Sequence, residues 1–323
     1  MTTNNRGLVP LHFAVRQSGS VRKDVWRGYR VRASLLLLLS FGFMPHCVGG
    51  TPQTAVMALG DITLKGSQVR VSSFDSSDAA HDNPLDGNEL LANGGLASLQ
   101  GVINVGNNGV HGKIWIGTNG GWMSGPRGFV GPLDWSGPGV FSAEWLPTEL
   151  AADIKSVNSP PAGGLAPQGD GTNFWVLNSS SDYFVNGDVE LNNKVIFVAG
   201  AGAKLFVTGN FRMFGSSEIK ISPGATLRMY VGRPDGPDVG TVIDGVNSAG
   251  NSAAFQYYGL PTNKSITWTG RGSYRGTIYA PQATLTMNGG GAATSQFIGA
   301  SVVGEAVFNG HLHIHLDEDL LKR

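Results

Sequence analysis

The chain has 323 residues, of which 48 are glycine, 16 proline and one cysteine, with only 14% charged side chains, a composition that suits many tight turns and argues against a helical or disordered protein. Formal charge is zero overall, but seven of the 23 basic residues precede residue 34 against one acid, leaving 16 basic and 22 acidic groups in the remainder. Such a net negative body repels phosphates and excludes nucleic acid as a partner.

Residues 1–33 form a basic extension, and a translation start nearer Val21 is one explanation of its length. Ser34-Leu35-Leu36-Leu37-Leu38-Leu39-Ser40-Phe41-Gly42-Phe43-Met44 follows, then Pro45 and small residues. A basic flank, a short apolar core and small residues beyond it make a secretory signal over residues 34–58, and predict an exported, extracellular or cell-surface protein. The apolar core is well short of the ~20 residues that span a bilayer, so no stable membrane span is expected in the mature chain. Cys47 is preceded by Met44-Pro45-His46, which is not a lipidation pattern. Cleavage after Gly49, Gly50 or Ala58 would remove this cysteine and leave a chain without disulfides.

Residues 59–323 read as a single all-β domain. It opens with two alternating strands around Gly66-Ser67, then an Asp/Ser-rich loop, Phe74-Asp75-Ser76-Ser77-Asp78. Residues 83–99 have room for a short helical turn, and strand chemistry returns at Val102–Val105 and Gly112–Ile116. From Thr118 to Thr172 the chain turns rich in Gly, Pro and Trp, which predicts an irregular excursion, with a short helix only over Glu144–Val157. From Phe174 short runs recur about every ten residues, separated by Asn-Gly, Asn-Asn, Ala-Gly-Ala, Gly-Ser-Ser or Pro-Gly. Several alternate, such as Leu205 and Val207 or Ile219 and Ile221, so each strand has one buried face. No such unit can bury its face alone, and stacking of equal units predicts a parallel β-helix over a sandwich.

Four stretches carry a family resemblance: Gly60–Asp78, HGKIWIGTNGG from His111, RGTIYAPQATLTMNGGG from Arg275 and NGHLHIHLDEDL from Asn309. In this order they resemble an uncharacterised bacterial exported domain family, a domain of unknown function found at the C-terminus of PilX-like pilus-assembly proteins and other surface proteins. The resemblance implies a right-handed β-helix on an exported protein of unknown activity. Two departures stand out: Leu316 replaces the usual aromatic residue, and the N-terminus lacks the pilin pattern, which argues against a pilus subunit.

His311, His313 and His315 alternate along one strand and project from one face, so they are the candidate metal ligands, with Asp317 or Asp319 beside them. Same-face residues lie ~6.8 Å apart, long for one ion without a bend, which favours a solvated or capping terminal strand over a metal site. Asp75, Asp78, Asp82 and Asp86 offer oxygens for calcium, or simply cap turns. Asp182, Asp188, Asp235, Asp238 and Asp244 are the carboxylates a polysaccharide-cleaving cleft would draw on, yet all sit in turn-like contexts. Trp115, Trp122, Trp135, Trp145, Trp175 and Trp268 would suit either a sugar platform or packing under a long loop. There is no nucleophile elbow, phosphate loop or HExxH motif, so no catalytic residue and no cofactor is assigned. The expected function is a non-enzymatic surface scaffold, adhesion or envelope- or pilus-associated assembly module, with envelope polysaccharide or other surface proteins as partners. The alternative is a carbohydrate-active enzyme or binding module on the same coil.

Overall fold

Short runs that end at glycine or asparagine cannot pair within themselves, and here they pair with the equivalent run one coil away. The computed structural model describes residues 54–78, 80, 91, 93–131, 136–142, 174–177, 182–248, 251–270, 272–290 and 294–322. The basic extension, the apolar signal core and the expected helix at Glu144–Val157 lie outside them, as does most of the expected helical turn in 83–99.

The described residues contain strands and two short 3-10 turns. The first group of strands is β1 (Thr54–Ala58), β2 (Ile62–Phe74), β3 (Gly95–Ser98), β4 (Val102–Gly106), β5 (Gly109–Val110), β6 (Ile114–Ile116), β7 (Gly121–Ser124), β8 (Phe129–Val130) and β9 (Gly139–Val140). The second opens with β10 (Phe174–Leu177), β11 (Asp182–Val185), β12 (Val189–Asn192), β13 (Val195–Val198), β14 (Ala203–Val207), β15 (Phe211–Phe214), β16 (Glu218–Ile221) and β17 (Leu227–Val231). It closes with β18 (Val239–Ile243), β19 (Gly245–Asn247), β20 (Phe255–Gly259), β21 (Asn263–Trp268) and the long, bent β22 (Tyr274–Asn288) and β23 (Ser295–Asp317). Strand pairing therefore continues through β7, β8 and β9, into the stretch whose composition reads as an irregular excursion.

From β10 onward each short strand pairs in parallel with the third strand after it: β10 with β13 and β13 with β16, β11 with β14 and β14 with β17, β12 with β15 and β15 with β18. This three-strand periodicity is a β-helix-like coil with three faces. Left-handed backbone makes its corners. Asn193, at φ 54°, is the one non-glycine described residue with positive φ, and its Oδ1 accepts from the Ser216 amide of the next coil at 3.1 Å. Gly270, at φ +72°, lies where an added Cβ would fall 1.7 Å from the Asn288 carbonyl oxygen.

The order of coils is not the order of the chain. Ser301–Val303 of β23 pair on one side with Ile278–Ala280 of β22 and on the other with Val56–Ala58 of β1. Further along, Ala306–Asn309 pair with Ile62–Lys65, and His311–Asp317 with Gln68–Phe74 of β2. The last strand thus lies in the middle of the stack, with β1–β9 building away from it on one side and β10–β22 on the other. β9 and β10, neighbours in sequence among the strands, stand at opposite ends.

All five residues of β1 are buried. Of the cleavage points considered, one after Ala58 would remove this strand, whereas one after Gly49 or Gly50 would keep it.

Alternation fills two apolar layers. Leu205, Val207, Met229, Val231, Tyr257 and Ile278 face the interior of the coil. Between them, Phe206, Tyr230, Tyr258, Tyr279, Val302 and Met57 project from the opposite side of the sheet and form a second buried cluster. Phe206 and Tyr230 stack at 4.6 Å, and Tyr230 and Tyr258 at 4.8 Å. One polar knot sits inside: the Asn263 amide donates to Thr241 Oγ1 at 3.0 Å, and Tyr257 Oη lies 2.6 Å from the same oxygen. Burial pushes the Tyr257 phenol far above its ordinary range, partly opposed by these bonds.

Candidate functional site: the histidine strand

The strand period of two decides what the terminal histidines can do. Leu312, Ile314 and Leu316 point inward and are fully buried, so His311, His313, His315 and Asp317 project from the other side. Across the ladder stand Gln68, Arg70, Ser72 and Phe74 of β2. One coil further, the His111 amide donates to the Val71 carbonyl at 2.7 Å, bringing a fourth imidazole to this face.

Burial then separates the histidines. His311 and His313 are half-buried, whereas His315 has no exposed surface. The His315 Nδ1 lies 2.8 Å from Ser72 Oγ, and its Nε2 has no hydrogen-bond partner. Phe74 meets the ring edge-on at 6.4 Å, and His313 lies at 5.8 Å with its plane turned by 84°. Loss of solvent, reinforced by the positive fields of His313, Arg70 and Arg275, pushes the His315 imidazole down to about 3. Burial also lowers His111 and His313, with Arg70 acting in the same direction. His315 is therefore neutral at physiological pH and serves as a packed, hydrogen-bonded ring.

The Asp/Ser loop after β2 clasps the chain's end. Asp317 accepts from the Ser76 amide at 3.1 Å and from Ser76 Oγ at 2.9 Å. Asp75 accepts from Ser77 Oγ at 2.7 Å and from the Lys322 ammonium, which also donates to Ser77 Oγ at 2.8 Å. The Lys322 bond, more than any other cause, holds the Asp75 carboxyl below its ordinary value, and the same bond raises Lys322. Asn93 ties in the far end of the loop, donating its backbone amide to Ser73 Oγ at 2.9 Å and its side-chain amide to Glu318 at 3.1 Å. The Asp75 carboxylate offered for calcium thus faces a cation of the chain itself, while Asp82 and Asp86 lie outside the described residues. Among the described residues, no group of three or more His, Cys, Asp or Glu side chains converges as a metal site.

The remaining candidates are scattered. Asp182 faces Lys204 at 3.9 Å, and Asp188 caps a corner by accepting from the Asn210 amide at 2.8 Å. Asp235 and Asp238 lie on an exposed turn, and Asp244 is buried against Thr269. Trp268 belongs to the interior, Trp122 packs against it from partial exposure, and Trp115 joins the outer cluster. Trp135 and Trp145 lie outside the described residues. The clasp at Lys322 and the outer aromatic cluster were not anticipated from the sequence. A signal for the second existed in the unbroken apolar triplets Leu205-Phe206-Val207 and Met229-Tyr230-Val231, which mark strands covered on both faces.

The class these features define is a β-rich, β-helix-like domain closed by its own C-terminal strand. Residues 165–323 match the family model described as Domain of unknown function (DUF7305). That stretch holds all of β10–β23, including the histidine strand. No curated protein matches the chain. Among solved structures, an ice-binding protein from an Antarctic bacterium, Flavobacteriaceae, aligns with 8% identity over 81% of this chain and 80% of that one, at a TM-score of 0.23. A score so low carries no argument about fold or function.

Proposed function

We propose that this chain is an exported, non-enzymatic β-helix, wound right-handed, that acts as a surface scaffold or envelope-assembly module. The observation that carries the reading is the open end of the stack at β7–β9. Val140, in register with Ile116 of the preceding coil, is 71% exposed, and Met123 at 53% and Phe129 at 41% stand on the other two faces of the same terminal coil. Solenoid ends are normally capped by polar residues, and an apolar terminal coil is a surface on which another β edge can stack. Right-handed winding is supported by the strong preference of parallel β connections for that hand. Export is supported by the apolar segment at Ser34–Met44, and the scattered carboxylates favour a scaffold over a hydrolase.

The purified mature chain is expected to self-associate or to bind envelope fractions, and the double variant Met123→Lys/Val140→Lys to lose this while keeping its thermal transition. Association unchanged by the variant removes the end-stacking reading. Release of reducing ends from a polysaccharide panel would instead establish the carbohydrate-active alternative. Localisation of a tagged copy with and without residues 34–44 tests export separately.

A further inference from the structure

Beyond the basic extension the chain carries 22 acidic against 16 basic groups, yet one part of its surface runs the other way. Strand pairing sets His313 of β23 in register with Arg70 of β2, Arg70 with Gly109 of β5, and Gly109 with Phe129 of β8. Their neighbours Leu312, Ile314, Val69, Val71 and Val110 fill the interior, so this row lies on the outer side of one face. Glycine at 109 leaves its place in the row open, and the His111 ring folds over it. The His111 Nε2 lies 3.6 Å from where a Cβ on Gly109 would stand, and its ring centroid is 5.2 Å from that of Phe129. Imidazole, guanidinium, imidazole and phenyl thus follow one another along the stack.

The charges around the row have one sign. Lys65 and Arg127 stand exposed at the corner where the chain enters this face, and Lys113 at the corner where it leaves. The carboxylates at the far end of the face are engaged, Asp75 by Lys322 and Asp317 by Ser76. Among the described residues, none accepts a hydrogen bond from the side chains of Arg70, His111 or His313, and none forms an ion pair with Arg70.

We propose that this row binds an acidic polysaccharide, a glycan with one carboxylate per sugar, lying along the stack. Arg70 supplies a full charge and a planar fork that takes a carboxylate through two N–H bonds. His111 and His313 each present a ring N–H in either charge state. Gln68, exposed on the same side of β2, offers hydrogen bonds to sugar hydroxyls, and Phe129, 41% exposed, offers a ring face against which a sugar's C–H groups can rest. Charge density selects the class of polyanion. Donors recur once per coil, every ~4.8 Å, close to the length of one sugar residue in an extended glycan. Duplex DNA carries a charge every ~1.7 Å, too dense for this row and repelled by the acidic remainder of the chain. The inference goes beyond the end-stacking reading and does not rest on it, since Met123→Lys/Val140→Lys alters no residue of the row.

Isothermal titration of the full-length protein with polygalacturonate at low ionic strength tests the site. Uncharged dextran and polyglutamate, a polyanion without sugars, serve as comparisons. Polygalacturonate is expected to bind at least tenfold more tightly than either. Arg70→Gln is expected to weaken it tenfold or more and Phe129→Ser several-fold, both with an unchanged thermal transition. Lys220→Gln, which removes an exposed cation on β16 remote from the row, is expected to leave the affinity as it was. Equal affinity of Arg70→Gln and the unaltered chain places any binding elsewhere and overturns the proposal. Polyglutamate bound as tightly as polygalacturonate, or no binding of polygalacturonate at all, overturns it as well.

Discussion

A single imidazole sets much of the acid sensitivity to be expected. His315 takes up a proton near pH 3 in the folded chain, against an ordinary value of 6.5, so between those limits the unfolded chain binds a proton that the folded chain does not. Its stabilising contribution is complete above pH 6.5 and falls with pH by about 1.4 kcal/mol per unit down to about 3. His111 and His313, lowered for the same reason, add to the slope in the same direction. Asp75, lowered by Lys322, adds stability that is present above the ordinary carboxylate range and lost as pH falls through it. Chemical denaturation measured between pH 7 and 4 is expected to show this decline, and His315→Gln to flatten it. An unchanged slope in the variant would place the sensitive group elsewhere. Removing the Ser72 hydroxyl leaves both imidazole nitrogens without partners, and Ser72→Ala is expected to cost about 1–3 kcal/mol at neutral pH. At the corners, Gly270→Ala combines positive φ with a clash against Asn288, and a loss of about 3 kcal/mol is expected from thermal unfolding.

Among the elements, the two apolar layers differ in what their loss would do. Tyr230 lies between Phe206 and Tyr258 in a continuous stack, so Tyr230→Ala removes contacts in two neighbouring coils at once. A cost of about 3–5 kcal/mol is expected, seen as a lowered denaturation midpoint with unchanged circular dichroism at low denaturant. Tyr257→Phe, inside the coil, deletes one member of a buried knot whose other two remain bonded, and about 1–2 kcal/mol is expected. Much of this level was legible beforehand. Strand runs such as Lys204–Val207 and Leu227–Val231, and the glycine and asparagine corners, show in the local chemistry because each coil repeats the same steric demands. The two-sided burial was not recognised, since alternation is read from the polar positions and a tyrosine facing outward resembles one facing in. The clasp of Lys322 on Asp75 was beyond reach because the partners are 247 positions apart and only the stacking order brings them together.

That stacking order is also what the whole chain hides from a reader of sequence. Repeating strands imply that neighbours stack, and for β10–β23 that is what occurs, but nothing in Ile62–Phe74 says that its partner is His311–Asp317. The register was settled by complementarity at a distance, Val69 and Val71 beside Leu312 and Ile314, which local patterning does not encode. The histidines owe their burial to the same arrangement, and this is why alternation alone suggested ligands. Truncation before Ser295 is expected to leave residues 54–142 open to protease while the strands from β11 to β22 keep their protection. Equal resistance of the first segment in the truncated and intact chains would contradict the central position of β23.

Because β23 joins the two groups of coils, the timing of synthesis matters. Strands β1–β9 leave the ribosome first, but the surface on which they stack is made last, so for most of its production the leading part of the chain has no finished template. A polypeptide that cannot close its stack until β23 has been made holds β1–β9 without their central partner until then. The same arrangement makes a chain interrupted late in translation incomplete at its centre and not only at its tip, with unpaired strand edges on both sides of the gap for proteases to find.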